Sequence, residues 1–366
     1  MRIEAFDYEL PPELIAQHPV EPRDASKLLV LDPITDSIFH RHTHDLPDML
    51  PTGALLVVND TRVLRARLLG HKADTGGKVE LLLVRRMGIE QSEDGRITAE
   101  NWHAMGKAAK AFRFPTTALF GDPPSIIAVL RSRTEDGLLD VSLACTNGLT
   151  VAEALHRVGH VPLPPYIRRD DTRVDADRYQ TVYAVQDGAV AAPTAGLHLS
   201  HRLIGALSMR GFEVVSITLH VGPGTFQPVT VEDLDGHRMH EEWYEVPHHA
   251  AKSIEDARAH GVPVVAVGTT TVRALESAAD VDRPGFVRAG KGMTRLLIQP
   301  GYEFRVVDAM LTNFHLPKST LMALVSAMAG RQRVLDAYRH AVEKQYRFYS
   351  YGDAMLILRR AREGIE

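Results

Sequence analysis

The stretch "LSHRLIGALSMRGFEVVSITLHV", residues 199–221, contains the pattern that decides the fold. Ser200 is a suitable helix N-cap and Gly211 is a suitable helix stop. Between them, Leu203 and Leu207 lie on one side of the predicted helix. The β-branched run that follows predicts a buried strand. A helix that leads directly into a strand is typical of an α/β domain.

Two later stretches repeat this arrangement. Residues 253–279, "SIEDARAHG" followed by "VPVVAVGTTTVRALESAA", predict a helix, a buried strand that ends at Gly268, and a second helix. In "STLMALVSAMAG", residues 319–330, Ser319 is placed to cap a further helix. Together these stretches predict an α/β main domain in which helices cover a sheet.

The stretch from residue 64 to residue 145 has a different character. Short alternating or apolar runs are separated by turns that contain Gly, Asp or Pro, as in "ADTGGKVE" (73–80) and "RTEDGLLD" (133–140). We therefore predict an all-β unit over residues 64–149. It is inserted in a discontinuous α/β catalytic domain of residues 1–63 and 150–366.

Composition excludes several classes of protein. The chain has 366 residues, a formal net charge of -4 and one cysteine. A single Cys145 excludes an intramolecular disulfide and a thiolate metal cluster, so we expect it to pack as a small apolar side chain. No apolar run approaches the length of a membrane span, and the first residues lack the apolar segment of a signal peptide. We expect a cytoplasmic protein without membrane contact. The net charge excludes a surface that is basic throughout, but it does not exclude a local cationic groove.

In the stretch "TLHVGPGTFQPV", residues 218–229, a histidine at the end of a predicted strand is followed by a loop that contains two glycines. Alternation along the strand places His220 on the polar face, opposite the apolar side chains. Gly222 and Gly224 would let a ligand approach the backbone before Thr225. A tight turn that carries a surface histidine is the alternative interpretation.

Two other loops are built in the same way. Gly268, Thr269 and Thr270 lie where a strand meets a helix N-terminus, which attracts anions and hydroxyl groups, although plain N-capping would explain them as well. Arg273 follows on that helix, three residues before Glu276, with which it could pair.

The loop "TNFHLPKSTL", residues 312–321, carries Asn313, His315 and Lys318 ahead of the next helix. A lysine beside a helix N-terminus is unfavourable unless an anion is also present, so Lys318 is a candidate phosphate contact. A solvated lysine is the alternative.

Histidines and acids cluster in "GHRMHEEWYEVPHH", residues 236–249. Their spacing matches no zinc motif, so we expect no metal there. His240 and Glu241 are candidates for general acid or base catalysis, because a carboxylate tunes a neighbouring imidazole. Near the C-terminus, "YRFYSYGDAMLIL", residues 346–358, alternates aromatic side chains with Arg347, a pattern that fits base stacking or core packing equally.

Motifs along nearly the whole chain resemble one family. They are "FDYELPPELIAQHPVEPRDASKLLVLD" (6–32), "VVNDTRVLRARLLG" (57–70), "GGKVELLL" (76–83), "APTAGLHLS" (192–200), "TLHVGPGTFQPV" (218–229), "HRMHEEWYEVP" (237–247), "AVGTTTVRALES" (266–277), "VDAMLTNFHLPKSTLMALVSAMAG" (307–330) and "YRFYSYGDAMLIL" (346–358). In this order they are similar to the S-adenosylmethionine:tRNA ribosyltransferase-isomerase family of queuosine biosynthesis. The clearest departure is Leu219, where we expect the family to carry a second histidine.

The resemblance implies a fold and a reaction. The family combines an α/β domain with a β-barrel domain, so the inserted unit is expected to be barrel-like. The ribosyl moiety of S-adenosylmethionine is transferred and isomerised onto 7-aminomethyl-7-deazaguanine at the wobble position of tRNA, which gives epoxyqueuosine and releases adenine and methionine. S-adenosylmethionine is thus a consumed substrate, and no metal is required. We expect a monomer.

The same resemblance, combined with local chemistry, assigns expected roles. His220 is the first candidate for proton transfer, with His240 and Glu241 in reserve. The turn 268–270 and Arg273 suit the methionyl carboxylate or the ribose hydroxyl groups. The residues expected to face RNA are Asn313, His315, Lys318, Arg62 and Arg347.

Two other classes of function remain as alternatives. One is a metal-dependent hydrolase built on the histidines between His237 and His249. The other is a non-catalytic RNA-binding module centred on the β unit. Metal analysis would test the first and product analysis the second.

Overall fold

The structure is a computed structural model, and it describes residues 1–91, 93, 97–108, 110–222, 229 and 231–358. The strands are β1 (Lys27–Asp32), β2 (Ser37–His42), β3 (Leu55–Asn59), β4 (Thr61–Val63), β5 (Arg67–Lys72), β6 (Lys78–Gln91), β7 (Ile97–Ala108), β8 (Thr116–Phe120), β9 (Ile126–Arg133), β10 (Leu139–Cys145), β11 (Gln186–Ala189), β12 (Glu213–Leu219), β13 (Glu242–Val246), β14 (Val264–Val267), β15 (Gly290–Thr294), β16 (Ala309–Asn313) and β17 (Ala354–Leu358).

The α-helices are shorter elements placed between these strands. They are α1 (Leu46–Met49), α2 (Val151–Val158), α3 (Arg173–Arg178), α4 (His201–Met209), α5 (His248–Ala259), α6 (Thr269–Ser277), α7 (Thr320–Ala329) and α8 (Arg331–Glu343). Single turns of 3-10 helix occur at Ile3–Phe6, Pro12–Leu14, Arg23–Ala25, Thr43–Asp45, Thr194–His198 and Leu234–Gly236.

A nine-stranded mixed sheet, in the order β15-β13-β12-β3-β14-β16-β17-β1-β2, forms the body of the molecule. Its central strands β12, β3, β14 and β16 are parallel to one another. The strands β13 and β17 run antiparallel to their neighbours β12 and β16. The carboxyl ends of the central strands therefore meet at one edge of the sheet, together with the amino ends of β13 and β17.

Both faces of this sheet are buried. Along β1, Leu29 and Leu31 belong to a core cluster that includes apolar side chains of α5, α6, α7 and α8. Leu28 and Val30, which point to the opposite face, pack in a second cluster with α4 and α1. This alternation follows from the two-residue period of a strand, and it gives three layers with the sheet in the middle.

The predicted ends of the helices in these α/β units are confirmed. The Ser200 hydroxyl accepts a hydrogen bond from the Leu203 amide, and Gly211 at the other end of α4 has a φ of +82°. Ser319 caps α7 in the same way.

The separate β unit is a six-stranded antiparallel sheet. Its strands pair in the ring β10-β7-β6-β5-β8-β9, and β10 pairs with both β7 and β9, so the sheet closes into a barrel. Apolar side chains fill its interior, with α2 packed against them. Cys145 ends β10, and burial raises the pKa of its thiol to about 11. The domain boundaries at residues 64 and 149 stay a prediction.

No helix among the described residues combines the length and the hydropathy that a bilayer span requires.

Candidate active site

A cavity of about 670 Å³ opens at the sheet edge where the central parallel strands end. In open α/β sheets this edge is the usual position of a ligand, because loops diverge there. The lining residues are Tyr166, Tyr179, Ala191–Ala195, Val221, Val229, Val231, Gly236–His240, Glu242, Gly268–Thr270, Arg273, Thr312–Leu321, Tyr349 and Ser350. Of the predicted site residues, the cavity brings together His240, Gly268, Thr269, Thr270, Arg273, Asn313, His315 and Lys318.

The turn between β14 and α6 forms one wall. Gly268 has a φ of +93°, a conformation that favours glycine, and this allows α6 to begin directly after the strand. The hydroxyl group of Thr270 accepts a hydrogen bond from the Asn59 side chain at 3.3 Å. That amide group also holds the end of β12, since it donates to the carbonyl of Leu219 at 3.0 Å. Asn59, which sequence analysis missed, thus fixes the turn relative to two strands.

Arg273 forms a buried ion pair with Glu242 across the same wall. The two side chains are each 5% exposed. The Arg273 Nε atom donates to the carbonyl of Leu296 at 3.0 Å, whereas Nη2 has no hydrogen-bond partner in the described part of the chain. Glu242 also accepts the backbone amide of Gly222 at 3.1 Å. A buried guanidinium nitrogen without a partner is an unused donor for an anion.

The alternative pairing of Arg273 with Glu276 is wrong. The Glu276 carboxylate accepts three backbone amides, those of Arg305 at 2.8 Å and of Val306 and Val307 at 3.0 Å. The Tyr302 hydroxyl donates to the same carboxylate at 3.2 Å, so four donors occupy its oxygens and Glu242 pairs with the guanidinium instead.

Asn313 is held by a buried chain of hydrogen bonds. Its Nδ2 atom donates to the carbonyl of Tyr349 at 3.1 Å and to Nε2 of His198 at 3.0 Å. Nε2 is therefore an acceptor, and Nδ1 of His198 carries the proton toward the Ser26 hydroxyl at 2.8 Å. Burial lowers the pKa of His198 to about 3. Asn313 Oδ1 has no partner among the described residues, so this cavity wall has an unused acceptor.

Asn313 and His315 line the cavity and are only 3% and 8% exposed, so their contact with RNA stays a prediction. His315 Nε2 lies 2.8 Å from the Thr312 hydroxyl, and burial lowers the pKa of the imidazole to about 3. Lys318 is half-exposed, but its ammonium group pairs with Asp7 at 3.0 Å. A lysine beside a helix N-terminus is favourable only with an anion nearby, and the Asp7 carboxylate is that anion here.

Two histidines reach the cavity from the loop between Leu234 and β13. His237 is half-buried, and burial together with neighbouring His240 lowers the pKa of His237. Both side chains line the cavity. Glu241 does not line it, because this exposed carboxylate points to Arg295, 3.4 Å away.

His220 is half-buried and is not among the residues that line the cavity. Its Nδ1 atom is 2.9 Å from the Thr61 hydroxyl, and its ring stacks on Trp243 with centroids 4.8 Å apart. Burial lowers the pKa of this imidazole. A Cβ atom at Gly188 would come within 2.7 Å of the ring, so only glycine leaves room for it.

The remaining predicted residues near this strand are placed as follows. Leu219 is fully buried in the core of the sheet, so the position of the expected family histidine is apolar here. Gly222 is half-buried and does not line the cavity. Gly224 and Thr225 lie outside the described residues.

The two arginines predicted to face RNA lie outside the cavity. Arg62 is exposed, and it donates to the carbonyl of Ala184 at 2.7 Å. Arg347 is partly buried and pairs with Asp353 at 3.5 Å. Its other amino group donates to the carbonyl of His18 at 3.3 Å. Both guanidinium groups are thus partly used in holding the fold.

Among the described residues, the group of potential metal ligands lies elsewhere. His42, His44 and Asp45 bring three ligand atoms within 4.8 Å of one another at the end of β2. The histidines between 237 and 249 form no such group in the described chain. This arrangement does not support the hydrolase alternative.

Comparisons with known proteins agree on one family. The model of a family described as "Queuosine biosynthesis protein" matches residues 3–357. The S-adenosylmethionine:tRNA ribosyltransferase-isomerase of Sorangium cellulosum is 54% identical, with 98% of each chain covered. The enzyme of that name from Moorella thermoacetica is 49% identical over 98% of this chain and 100% of its own. The crystal structure of S-adenosylmethionine tRNA ribosyltransferase from Thermotoga maritima matches with a TM-score of 0.53 and 35% identity, covering 97% of this chain and 100% of the other.

Proposed function

The chain belongs to the queuosine biosynthesis protein family, and we propose that it acts as an S-adenosylmethionine:tRNA ribosyltransferase-isomerase. In this reaction the ribosyl moiety of S-adenosylmethionine moves onto 7-aminomethyl-7-deazaguanine at the wobble position of tRNA. Epoxyqueuosine forms, and adenine and methionine leave. S-adenosylmethionine is consumed as a substrate.

The observation that carries the site assignment is the unpartnered Nη2 of Arg273 at the cavity wall. The methionyl end of S-adenosylmethionine carries a carboxylate, and a guanidinium group is the side chain best suited to bind it. Glu242 holds the guanidinium from the side, so its orientation is set before the substrate arrives. The cavity volume of about 670 Å³ lies within the range of small-molecule sites.

The rest of the substrate fits the other walls. The amide groups at the start of α6, with the hydroxyl groups of Thr269 and Thr270, offer partners to the ribose hydroxyl groups. Asn313 Oδ1, which has no donor of its own among the described residues, suits the exocyclic amino group of adenine. Tyr166 and Tyr179 supply apolar surface for the purine ring.

Proton transfer falls to the histidines that line the cavity. The positive sulfur of S-adenosylmethionine acidifies the ribose carbon bonded to it, so a base can remove a proton there. Adenine then leaves as its glycosidic bond breaks, the aminomethyl nitrogen of the modified base bonds to the ribosyl group, and methionine leaves as its carbon–sulfur bond to that group breaks. His237 is our candidate for the base, because its lowered pKa keeps the imidazole neutral, with His240 beside it as the partner that tunes it. His237 replaces His220 as the candidate, because His220 does not line the cavity.

Labelled substrate tests the function directly. S-adenosylmethionine that carries a radiolabel in the ribose is incubated with tRNA bearing 7-aminomethyl-7-deazaguanine. We expect the label to enter the RNA, with one adenine and one methionine released for each ribosyl group transferred. Formation of S-adenosylhomocysteine would instead indicate methyl transfer and would overturn the proposal.

Three further properties belong to the proposal. The reaction proceeds without a metal, so turnover should be unchanged after dialysis against a chelator. The enzyme acts as a monomer, since one chain supplies all the contacts invoked above, and sedimentation equilibrium would test this. It works in the cytoplasm, where tRNA is modified; fractionation of cells with an antibody to the chain would locate it.

A further inference from the structure

A second cavity, of about 460 Å³, adjoins the first. Its walls come from the N-terminal segment around Ile15 and from the connector around Arg168. Tyr166 is the lining residue that the two cavities share. The Tyr166 hydroxyl is fixed by Ser350 at 2.6 Å, and its ring packs against Tyr349 with centroids 4.6 Å apart. The Tyr166 side chain is therefore held in place.

The second cavity is preformed by one amide side chain. Gln17 donates to the carbonyls of Ile15 at 3.3 Å and of Tyr166 at 3.0 Å. It also accepts the backbone amide of Arg168 at 2.8 Å. The bonds to Tyr166 and Arg168 join the two segments that form the walls, and the bond to Ile15 lies within the N-terminal segment. A ligand would therefore meet a site that needs little ordering on binding.

The charges around this cavity favour a phosphate. Arg169 is neutralised by a two-point ion pair with Asp175, in which both distances are 2.7 Å. Arg168, in contrast, is exposed, and its guanidinium has no ion pair in the described part of the chain. His18 is also exposed at the rim, and Glu13 is the acid among the lining residues. The free guanidinium makes the site suitable for an anion with an attached flat or apolar group.

We propose that the second cavity holds the nucleotide next to the wobble nucleotide of the tRNA. The phosphate contacts the Arg168 guanidinium, and the base lies against Ile15 and Tyr166. This inference rests on the proposed function, since it requires the wobble base to enter the first cavity. Neighbouring nucleotides are joined by one sugar-phosphate unit, which matches two cavities that share one side chain. Phosphate contacts of this kind position an RNA without reading its sequence.

Arg168→Ala provides the first test. With an anticodon stem-loop RNA that carries the modified base, we expect about tenfold weaker binding at low salt and a log-log salt slope smaller by about one. The dissociation constant for S-adenosylmethionine should not change. Arg331→Ala is the matched control, because Arg331 is exposed, has no ion pair in the described structure and lines neither cavity. If Arg168→Ala binds RNA as the wild type does, the proposal is wrong.

A neutral phosphate analogue makes the test specific. A stem-loop with a methylphosphonate on either side of the wobble nucleotide should bind the wild type more weakly, whereas Arg168→Ala should not distinguish it from the normal RNA. Equal losses in both proteins would place the phosphate elsewhere and overturn the inference. Both binding experiments are independent of turnover. Failure of the proposed function would appear instead as wild-type protein that releases no adenine.

Discussion

Arg273 on α6 and Glu242 at the start of β13 form a buried ion pair at the wall of the cavity. Glu242 also accepts the amide of Gly222, so one carboxylate joins α6, which begins after Gly268, to the loop that follows β12. A buried charge pair is strongly destabilised when only one partner is removed, because the other charge loses its compensation. The pair therefore links the stability of the sheet edge to the orientation of the predicted carboxylate-binding group.

Glu242→Gln should lower the free energy of unfolding by about 3–5 kcal/mol and weaken the binding of S-adenosylmethionine. Denaturant unfolding and calorimetric titration would measure the two effects. Glu241→Gln is the matched control one residue away, since Glu241 and Arg295 form an exposed pair that should contribute less than about 1 kcal/mol. Equal effects of the two substitutions would contradict the account of the buried pair.

His237→Ala should lower the single-turnover rate by about a hundredfold or more, because it removes the proposed base. The dissociation constant for S-adenosylmethionine should stay close to that of the wild type. His220→Ala should reduce the rate by less than about tenfold, because His220 packs on Trp243 and does not line the cavity. If His220→Ala has the larger effect, the base is His220, as the sequence alone suggested.

The pH dependence of kcat/KM should show an acidic limb with a midpoint below 6.5. Burial and His240 lower the pKa of His237, so the imidazole stays neutral and active until the pH falls through that lowered value. His240→Asn removes the neighbouring positive charge and should move the midpoint upward. A midpoint above 6.5 in the wild type, or one that His240→Asn leaves in place, would argue against His237.

The free energy of unfolding should also decrease as the pH is lowered, because of His198. Burial lowers the pKa of His198 to about 3 in the folded protein, whereas the unfolded chain takes up a proton near pH 6.5. The unfolded state therefore binds more protons than the folded state between these pH values. His198 alone should decrease the free energy of unfolding by about 1.4 kcal/mol for each unit by which the pH is lowered in this range. His198→Gln should show a correspondingly shallower decrease. Identical slopes would show that His198 is not buried in the neutral form.

The fold could largely be predicted from the sequence because its signals are local. Ser200, Gly211 and Ser319 mark helix ends through contacts within one turn, and the two-residue period of a strand separates the two faces of the sheet. The turn at Gly268 was also predictable, since a glycine between a buried strand and a helix implies an unusual backbone angle.

Much of the site could not be predicted, because its contacts join distant parts of the chain. Glu242 on β13 forms the ion pair with Arg273 on α6, whereas sequence spacing suggested Glu276 as the partner of Arg273. Nothing in the local pattern separates His237, which lines the cavity, from His220, which does not. Pairing of Lys318 with Asp7 joins residues more than three hundred positions apart. The Asn59 side chain, which fixes the ends of β3 and β12, carries no sequence signal of its own.

The most direct test of the central claim is a comparison of two ligands at Arg273. S-adenosylmethionine and its decarboxylated analogue differ only in the carboxylate that Arg273 is proposed to bind. In the wild type, we predict about tenfold to hundredfold tighter binding of S-adenosylmethionine, as expected for a charge-assisted hydrogen bond. In Arg273→Gln, the two ligands should bind with nearly equal affinity. If Arg273→Gln keeps the full preference for the carboxylate, S-adenosylmethionine does not bind in this cavity as proposed.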